Sequence, residues 1–600
     1  MAFSLRLGEW DLWSKPVAIF GGAALLLWLP VFYLSGVYQT IFRFAGTGTI
    51  INLGKAVIGL ALPLAAIFGF SSIYGIPRTV VLLHPILFFG GLAISRIVFR
   101  YLLVDILNSH RHNGEQRNVL IYGAGSSGQQ LALSMRSEPS MNLMGFIDDN
   151  PNLAGQRLNE KPVFLGAKLE QVVAEQLVSD VLLAIPNASR LVQQAIIERL
   201  SKLPVKVKTL PSLSEMINGN ISMNDLRAIS VEDLLGRMTI KPDDTLMEQA
   251  VAGKTVVVTG AGGSIGSELC VQILKHKPLR IILAEISEVA LYSIDQKLRD
   301  ALIFDETAAV EIVAELVNVA DREQIARLFR KWRPQIVFHS AAYKHVPLIE
   351  ANPLSGIRNN IYGTLHTAVE AEAAGVEKFI LISTDKAVRP TNIMGTTKRC
   401  CELILQAMAA RGSDTKFSMV RFGNVLGSSG SVVPRFLQQI EAGGPVTLTD
   451  RKITRYFMTI PEASQLVIQA AGMADGGEVF LLDMGEPVRI ADLAESMIHL
   501  SGRTLRTASH PDGDIEIIEV GLRPGEKLYE ELLIGDNPKP SGHPKIMMAS
   551  EHYLKWDELK KHIDELDTHL ISGLAEPALI ILKKLVPEFN HMIHERVSEN

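Results

Sequence analysis

The sequence predicts an α/β chain: N-terminal transmembrane helices, then two doubly wound parallel-sheet domains, the second ending in a small C-terminal lobe. Two observations predict it. Three long uncharged stretches fall within the first 100 residues. A strand, glycine turn, helix, strand and acid then follow in that order, twice.

Composition excludes several classes. Of 600 residues, 47% are hydrophobic and 20% charged, which gives compact domains rather than disorder. A net charge of -5 leaves no basic excess, so nucleic acid is not expected as a partner. Cys270, Cys400 and Cys401 are the only cysteines. They form no disulfide framework and no zinc-type spacing, which points to a reducing compartment and no metal site.

The stretches Val17–Gly36, Ala56–Pro77 and Thr79–Ser95 carry no charge. A helix needs ~17–25 residues to cross a bilayer. No polar stripe marks them as surface helices, and no small-residue cleavage site follows the first. The reading is a transmembrane region over 1–105 with spans at about 17–36, 56–77 and 79–98. Arg43 and Lys55 fall between the first two spans, and Arg96, Arg100, Arg111 and Arg117 follow the third; only Arg78 separates the second from the third. The positive-inside rule then places the long C-terminal part in the cytoplasm. Met1–Arg6 reads like the tail of a further span.

The first sheet domain is assigned to 116–240. Strand Asn118–Tyr122 runs into Gly123-Ala-Gly125-Ser-Ser-Gly128, then a helix, then a strand ending at Asp148 and Asp149. The join falls near Ile240-Lys-Pro-Asp-Asp, and the second domain covers 250–590. There, strand Lys254–Val258 leads to Thr259-Gly260-Ala-Gly-Gly263-Ser264-Ile265-Gly266, a helix, and a strand ending at Glu285. The acid follows the first glycine by 25 residues in both (148 − 123 and 285 − 260). Both units therefore read as Rossmann-like. Glycines allow a tight turn and a close backbone approach to a pyrophosphate, the helix N-terminus favours the phosphates, and the acid accepts from ribose hydroxyls. The first unit reads either as a ligand site or as a fold kept for packing or regulation. From about residue 400, mixed helices and short strands with two Gly-rich loops, Gly423–Gly430 and Gly521–Gly525, suggest a smaller substrate-facing lobe.

The motifs of the second half are Thr259–Gly266, His339-Ser-Ala-Ala-Tyr-Lys-His-Val-Pro-Leu-Ile-Glu350, Ser383-Thr-Asp-Lys-Ala387, Arg421-Phe-Gly-Asn-Val-Leu-Gly-Ser-Ser-Gly430, Ile453-Thr-Arg-Tyr-Phe-Met-Thr-Ile460 and Gly521-Leu-Arg-Pro-Gly-Glu-Lys-Leu-Tyr-Glu-Glu-Leu-Leu533. By these it resembles the extended short-chain dehydrogenase/reductase fold. More narrowly, it resembles the membrane-bound nucleotide-sugar 4,6-dehydratases of bacterial surface-polysaccharide synthesis. Long-form members, usually with four spans, resemble the chain throughout. The resemblance implies an NAD-dependent removal of water from a nucleotide sugar, with UDP-N-acetylglucosamine going to its UDP-4-keto-6-deoxy sugar. It also implies a bacterial inner-membrane location and a homo-oligomer. In the cycle it implies, hydride leaves sugar C4, a base takes the C5 proton while an acid helps the C6 hydroxyl leave, and hydride returns to C6.

Strand Phe379–Ile382 ends in Ser383-Thr384-Asp385-Lys386, where open α/β sheets face their ligands. Thr384 can bond the C4 oxygen, Asp385 can serve as acid for C6 with a raised pKa, and Lys386 can serve as C5 base if desolvation and nearby positive charge lower its pKa. Taken alone, these residues are equally a strand-end turn with a solvated lysine. No tyrosine in the chain has lysine four residues on. The resemblance puts Met394 and Lys398 at the Tyr and Lys positions, as in long-form dehydratases. A thioether cannot titrate, so the C4 proton leaves through Thr384 or a water, and Lys398 holds the nicotinamide ribose. By resemblance Gly260, Gly263, Ser264, Ile265, Gly266 and Glu285 hold NAD, Ala341 and Ala342 line its crevice, and Asn360 braces the site's backbone. Arg421, Asn424, Arg523 and Glu526 grip the nucleotide half of the substrate, arginine forks suiting a diphosphate. Each could instead be a surface ion pair. Two other readings stand beside this one: a nucleotide-sugar 4-epimerase, and a membrane sensor or scaffold that binds without turnover.

Overall fold

The computed structural model describes residues 2–7, 14–37, 47–70, 76–100, 117–135, 138, 140–211, 225–235, 241–303, 309–533 and 538–590. It forms two compact units, Met1–Arg117 with Ser137–Asn142, and Asn118–Arg136 with Leu143–Asn600.

In the first unit, helices Lys15–Leu34, Thr47–Phe70 and Arg78–Arg100 each hold a stretch long and apolar enough to cross a membrane. Leu53, Leu60, Leu64 and Val80 are buried between them, whereas Leu26 is 78% and Leu34 84% exposed. Leaving a leucine in water forgoes ~1.5–3 kcal/mol of burial, and lipid removes that cost, so the chain is membrane-associated. Pro30, Pro63 and Pro85 lie inside the helices, a placement that packed spans tolerate. The second span differs from expectation. Its helix starts at Thr47 rather than near 56, and it contains Lys55, which is exposed rather than in a loop. One lysine does not stop a helix, and its long stem can carry the ammonium to an interface. Arg43, Arg111 and Ile240 lie outside the described residues.

The second unit holds two large sheets. One has seven strands in the order Arg157–Leu158, Lys161–Leu165, Met141–Asp148, Arg117–Tyr122, Asp180–Leu183, Lys206–Thr209 and Arg227–Ala228. The other has nine: Glu311–Leu316, Arg280–Glu285, Thr255–Thr259, Ile336–His339, Lys378–Ile382, Lys416–Arg421, Val479–Leu482, Ile546–Ala549 and Lys539–Pro540. Its first seven run parallel and its last two pair antiparallel. Its central strands, Thr255–Thr259, Ile336–His339 and Lys378–Ile382, have apolar middles of Val, Ile, Phe and Leu and are buried over nearly their whole length, as strands covered on both faces are. Chain order reverses between Thr255–Thr259 and Ile336–His339, the switch point where such sheets open a ligand crevice.

The two glycine turns are built alike. A Cβ at Gly266 would run into the Gly260 carbonyl, and one at Gly128 into the Gly123 carbonyl, so in each the helix closes directly on the loop. The lobe is narrower than expected. Strands Lys416–Arg421 and Val479–Leu482 complete the main sheet. The lobe itself is a three-stranded sheet, Val446–Leu448, Ile515–Glu519 and Leu505–Arg506, packed on Phe436, Ile440 and Ile498.

Arg421 is a correction. It is fully buried and belongs to a charge cluster rather than to any ligand surface. Its Nε and Nη2 donate to Glu402 at 2.7 and 2.6 Å, and its Nη1 and Nη2 donate to Glu551 at 2.6 Å each. Arg399 donates to the same Glu402 at 3.0 Å and lies 2.9 Å from Glu551, and Ser383 donates to Glu402 at 2.7 Å. A guanidinium fork fits two carboxylates as well as a diphosphate. Burial pushes the Glu402 carboxyl up, but Arg421 and Arg399 overcome it and hold it at about 2.

Two outcomes are expected. The full chain should sediment with membranes after a high-salt wash and dissolve only in detergent; recovery of most of it in the washed soluble fraction would contradict the span assignment. Arg421→Ala strands two buried carboxylates and should cost about 3–5 kcal/mol of stability, read by denaturant unfolding in detergent; a loss under 1 kcal/mol would show that the cluster is not load-carrying.

Candidate functional site

A cleft of about 920 Å³ opens where the nine-stranded sheet's strands end, within the size range of small-molecule sites, ~300–1,000 Å³. Gly263, Ser264, Ile265 and Gly266 line one side with Ala342, Met394 and Lys398; Asn424, Arg523 and Glu526 line another, and Thr384 and Lys386 lie on its wall. Gly260, Ala341 and Glu285 sit one layer back. The missing Cβ of Gly260, at a φ of +65°, makes room for the Ala341 backbone. Glu285 accepts from the backbone N–H groups of Gly262 and Ile286 at 2.9 Å and of Ser287 at 3.0 Å. It therefore braces the turn from behind. Asp148 does the same in the other sheet, accepting from Ala124 at 2.8 Å and Asn150 at 2.9 Å.

Strand Lys378–Ile382 delivers the next three groups. Thr384 caps the single turn Asp385–Ala387 and donates to Asp385 Oδ1 at 2.8 Å. Lys386 Nζ donates to the same oxygen at 3.0 Å and to Asn424 Oδ1 at 3.2 Å. Asp385 is almost completely buried below the cleft wall, and its Oδ2 has no hydrogen-bond partner among the described residues. Lys386 departs from expectation. Burial pushes its pKa down, but Asp385 and Glu530 outweigh that and hold it above the usual lysine range. At rest it is an ammonium.

Helix Ile393–Ala410 presses its start against this turn. Asn392 caps it by accepting from Gly395 at 2.8 Å, and any Cβ at Gly395 would strike the Lys386 carbonyl. Met394 and Lys398, one turn apart, both face the cleft. Burial lowers the pKa of Lys398. Behind it, His339 bonds Thr259 at 2.9 Å and Thr364 at 3.1 Å; burial first, then the Lys398 charge, lower its pKa to about 3. Asn360, in one turn of π-helix, accepts from Tyr343 N at 2.8 Å and donates to Tyr343 O at 3.1 Å and to Thr397 at 2.9 Å. It thus ties the strand end after His339 to the helix.

Sequence reasoning passed over the groups that close the site. Segment 521–530 crosses it, held by Thr391 and Asn392 on the Gly525 carbonyl at 2.9 and 3.0 Å and by Arg455 on the Lys527 carbonyl at 2.7 Å. Glu530 lines the cleft with its Oε1 3.5 Å from Lys386 Nζ. Arg455 and Glu530 both lie in quoted motifs, and only their burial, a tertiary fact, singles them out.

Comparison with known proteins agrees with this architecture. Residues 256–551 match the family described as "Polysaccharide biosynthesis protein", and residues 33–211 match a CoA-binding domain. The chain is 37% identical to the capsular polysaccharide biosynthesis protein CapD of Staphylococcus aureus, over 91% of this chain and 89% of that one. It is 31% identical to a UDP-N-acetylglucosamine 4,6-dehydratase (inverting) of Campylobacter jejuni, over 54% of this chain and 89% of that one. It is 30% identical to a UDP-glucose 4-epimerase of Rickettsia rickettsii, over 47% of this chain and 77% of that one. With two glycine-turn sheets, membrane-length helices and a likeness that runs nearly end to end, the chain belongs to the CapD-like family of polysaccharide biosynthesis proteins.

Proposed function

We propose that the protein removes water from a nucleotide sugar, converting UDP-N-acetylglucosamine to its UDP-4-keto-6-deoxy sugar for surface polysaccharide or glycan synthesis. The observation that carries this is Thr384, Asp385 and Lys386, hydrogen-bonded in series, with Thr384 and Lys386 on the wall of a cleft shared with a glycine turn and Asp385 directly beneath them. The dehydratase relative of Campylobacter jejuni supports the substrate class. The glycine turn, closed so tightly that a Cβ at Gly266 would strike the Gly260 carbonyl and one at Gly260 the Ala341 backbone, brings the start of helix Ser264–Lys275 to the cleft and suits a dinucleotide. NAD bound there would supply reversible hydride acceptance.

The chain's own residues then handle protons. Thr384 takes the proton of the C4 hydroxyl and passes its own to Asp385 along the 2.8 Å hydrogen bond. Asp385, now an acid, gives that proton to the departing C6 hydroxyl. Lys386, as the free amine, removes the C5 proton and gives a proton back to C5 as hydride reaches C6. The C4 proton therefore leaves in the water, and the titratable groups return to their starting states. Met394 fills the place beside Lys398 without taking a proton, and Lys398 holds the nicotinamide ribose. Gly260, Gly263, Ser264, Ile265, Gly266 and Glu285 hold the remainder of the cofactor, backed by Ala341 and Ala342. Asn424, Arg523 and Glu526 grip the nucleotide half of the substrate. The catalytic part lies in the cytoplasm at a bacterial inner membrane, and the protein works as a homo-oligomer. The epimerase likeness favours a 4-epimerase as second reading, but that reaction never touches C5 or C6 and has no use for an acid–lysine pair at the strand end.

Turnover in deuterated water, with label followed at C5, decides between them. Lys386→Ala should lower C5 labelling on the order of 10²–10⁴-fold, the usual range for loss of a general base, with nucleotide binding intact. Met394→Ala should lose far less. Normal C5 labelling in Lys386→Ala would sink the assigned base; unlabelled C5 alongside inverted C4 would establish the epimerase.

A chain starting at Lys241 keeps helix Asp244–Val251, whose cap at Asp243 bonds Gln469 at 2.8 Å. It should be soluble and active, though the cut removes the Ser201 carbonyl from His499. Complete inactivity of that shortened chain, still folded by circular dichroism, would assign the first sheet domain to the catalytic machinery.

A further inference from the structure

Glu530 is the buried titratable group in the cleft that the mechanism above leaves unused. Its side chain is 3% exposed. Oε1 lies 3.5 Å from Lys386 Nζ and 3.8 Å from Arg455 Nε. Oε2 is buried with no hydrogen-bond partner among the described residues. Arg455 does not neutralise it closely, because its Nη1 and Nη2 are committed to the carbonyls of Thr454 at 2.8 Å, Leu528 at 3.1 Å and Lys527 at 2.7 Å.

The dehydration reading, on which this inference rests, creates a need for such a group. At rest Lys386 is an ammonium and Asp385 its partner. Before elimination Lys386 must be an amine while Asp385 carries a proton. The C4 hydroxyl fills Asp385 through Thr384, so Asp385 cannot also receive the lysine's proton. We propose that Glu530 is the proton-holding partner of Lys386. As the substrate seats, an N–H bond of Lys386 breaks and an O–H bond forms on Glu530. In elimination the C5 proton passes to Nζ, and the Asp385 proton leaves with the C6 oxygen as water. As C6 is reduced, Nζ returns a proton to C5, and Glu530 then returns its proton to Lys386. Hydride leaves C4 and arrives at C6, the C4 proton ends in water, and no proton is gained or lost.

The surroundings favour this use. Burial first and then Asp385 push the Glu530 carboxyl up, while Lys386, Arg455 and Lys527 pull it down, and the net direction is upward. A substrate that shields the pair from water favours two neutral groups over two charged ones. Glu530 acts through Lys386 and is a positioning residue in that sense.

The test uses the full-length protein in detergent with UDP-N-acetylglucosamine in deuterated water. In Glu530→Gln, C5 labelling should fall on the order of 10²–10⁴-fold, as for loss of a general base. Reduced cofactor should accumulate, because C4 oxidation continues, which also proves the variant folded. The loss should shrink as pH rises, since hydroxide can then remove the Lys386 proton. Glu530→Asp, which keeps the acid but lengthens the gap, should fall between the two. A merely electrostatic role predicts the opposite sign: one carboxylate fewer lowers the Lys386 pKa, so Glu530→Gln would equal or exceed the wild type at low pH. That result overturns the inference, as does loss of cofactor reduction together with C5 labelling, or an aspartate variant no better than the glutamine one. A wild type that labels C5 of no nucleotide sugar removes the functional reading itself, and this inference with it.

Discussion

Glu402, Arg421, Arg399 and Glu551 place four charges where their side chains are at most 4% exposed, and the cleft is assembled against them. Glu402 and Arg399 belong to the helix that carries Met394 and Lys398; Arg421 ends the neighbouring strand. Ser383, one residue before Thr384, donates to Glu402. Buried ion clusters of this kind contribute little net stability over a well-packed apolar alternative, because desolvation offsets attraction. Their forked hydrogen bonds are directional, however, and tolerate little displacement. The cluster therefore fixes the helix against the strand ends, and with them the gap between Lys398 and Lys386.

Those two lysines show how differently one cleft can treat the same side chain. Lys398 has no carboxylate within ion-pair distance among the described residues, and burial alone sets its direction, downward. Lys386 is mostly buried too, its side chain 20% exposed, yet Asp385 at 3.0 Å and Glu530 at 3.5 Å reverse the outcome. An acid–base pair is thus stored as an ion pair. In the proposed dehydration, its conversion to acid and amine would depend on what the substrate supplies at Thr384 and on a second carboxylate to relieve the lysine. Segment 521–530, pinned by Thr391, Asn392 and Arg455, brings that carboxylate to the site.

The sheets were legible because their signals are local. Uncharged runs marked the spans, and glycine turns followed by an acid marked both switch points. The placement of Thr384 and Lys386 on the cleft was legible because a strand end in a parallel sheet faces the crevice. The start of the second span was misjudged because Lys55 was read as a loop charge, although a helix carries one lysine without difficulty. Arg421 was misassigned because an arginine fork matches diphosphate and paired carboxylates alike, and Glu551 lies 130 residues further along the chain. The ammonium state of Lys386 follows first from Asp385 beside it and then from Glu530, and the burial of Glu530 follows from a loop folding back over the sheet, which no spacing in the sequence records.

The same turn geometry occurs twice, yet it meets an acid beside an amine at a strand end once. In the seven-stranded sheet the missing Cβ of Gly123 abuts the Ala184 carbonyl, and strand Asp180–Leu183 continues into Ala184-Ile-Pro-Asn187. Strand Lys206–Thr209 ends in Leu210 and Pro211. Neither end offers an acid beside an amine. The titratable groups nearby are tied to one another: Tyr122 donates to Asp149 at 2.8 Å, and Arg199 pairs with Asp149 at 3.1 Å and with the Tyr122 hydroxyl. A glycine turn provides backbone donors and a helix N-terminus, which suffice for binding. The proposed proton transfers need side chains with unmet partners as well, and beside the nine-stranded sheet Asp385 Oδ2, at a strand end, and Glu530 Oε2, on the segment that crosses the cleft, have no hydrogen-bond partner among the described residues.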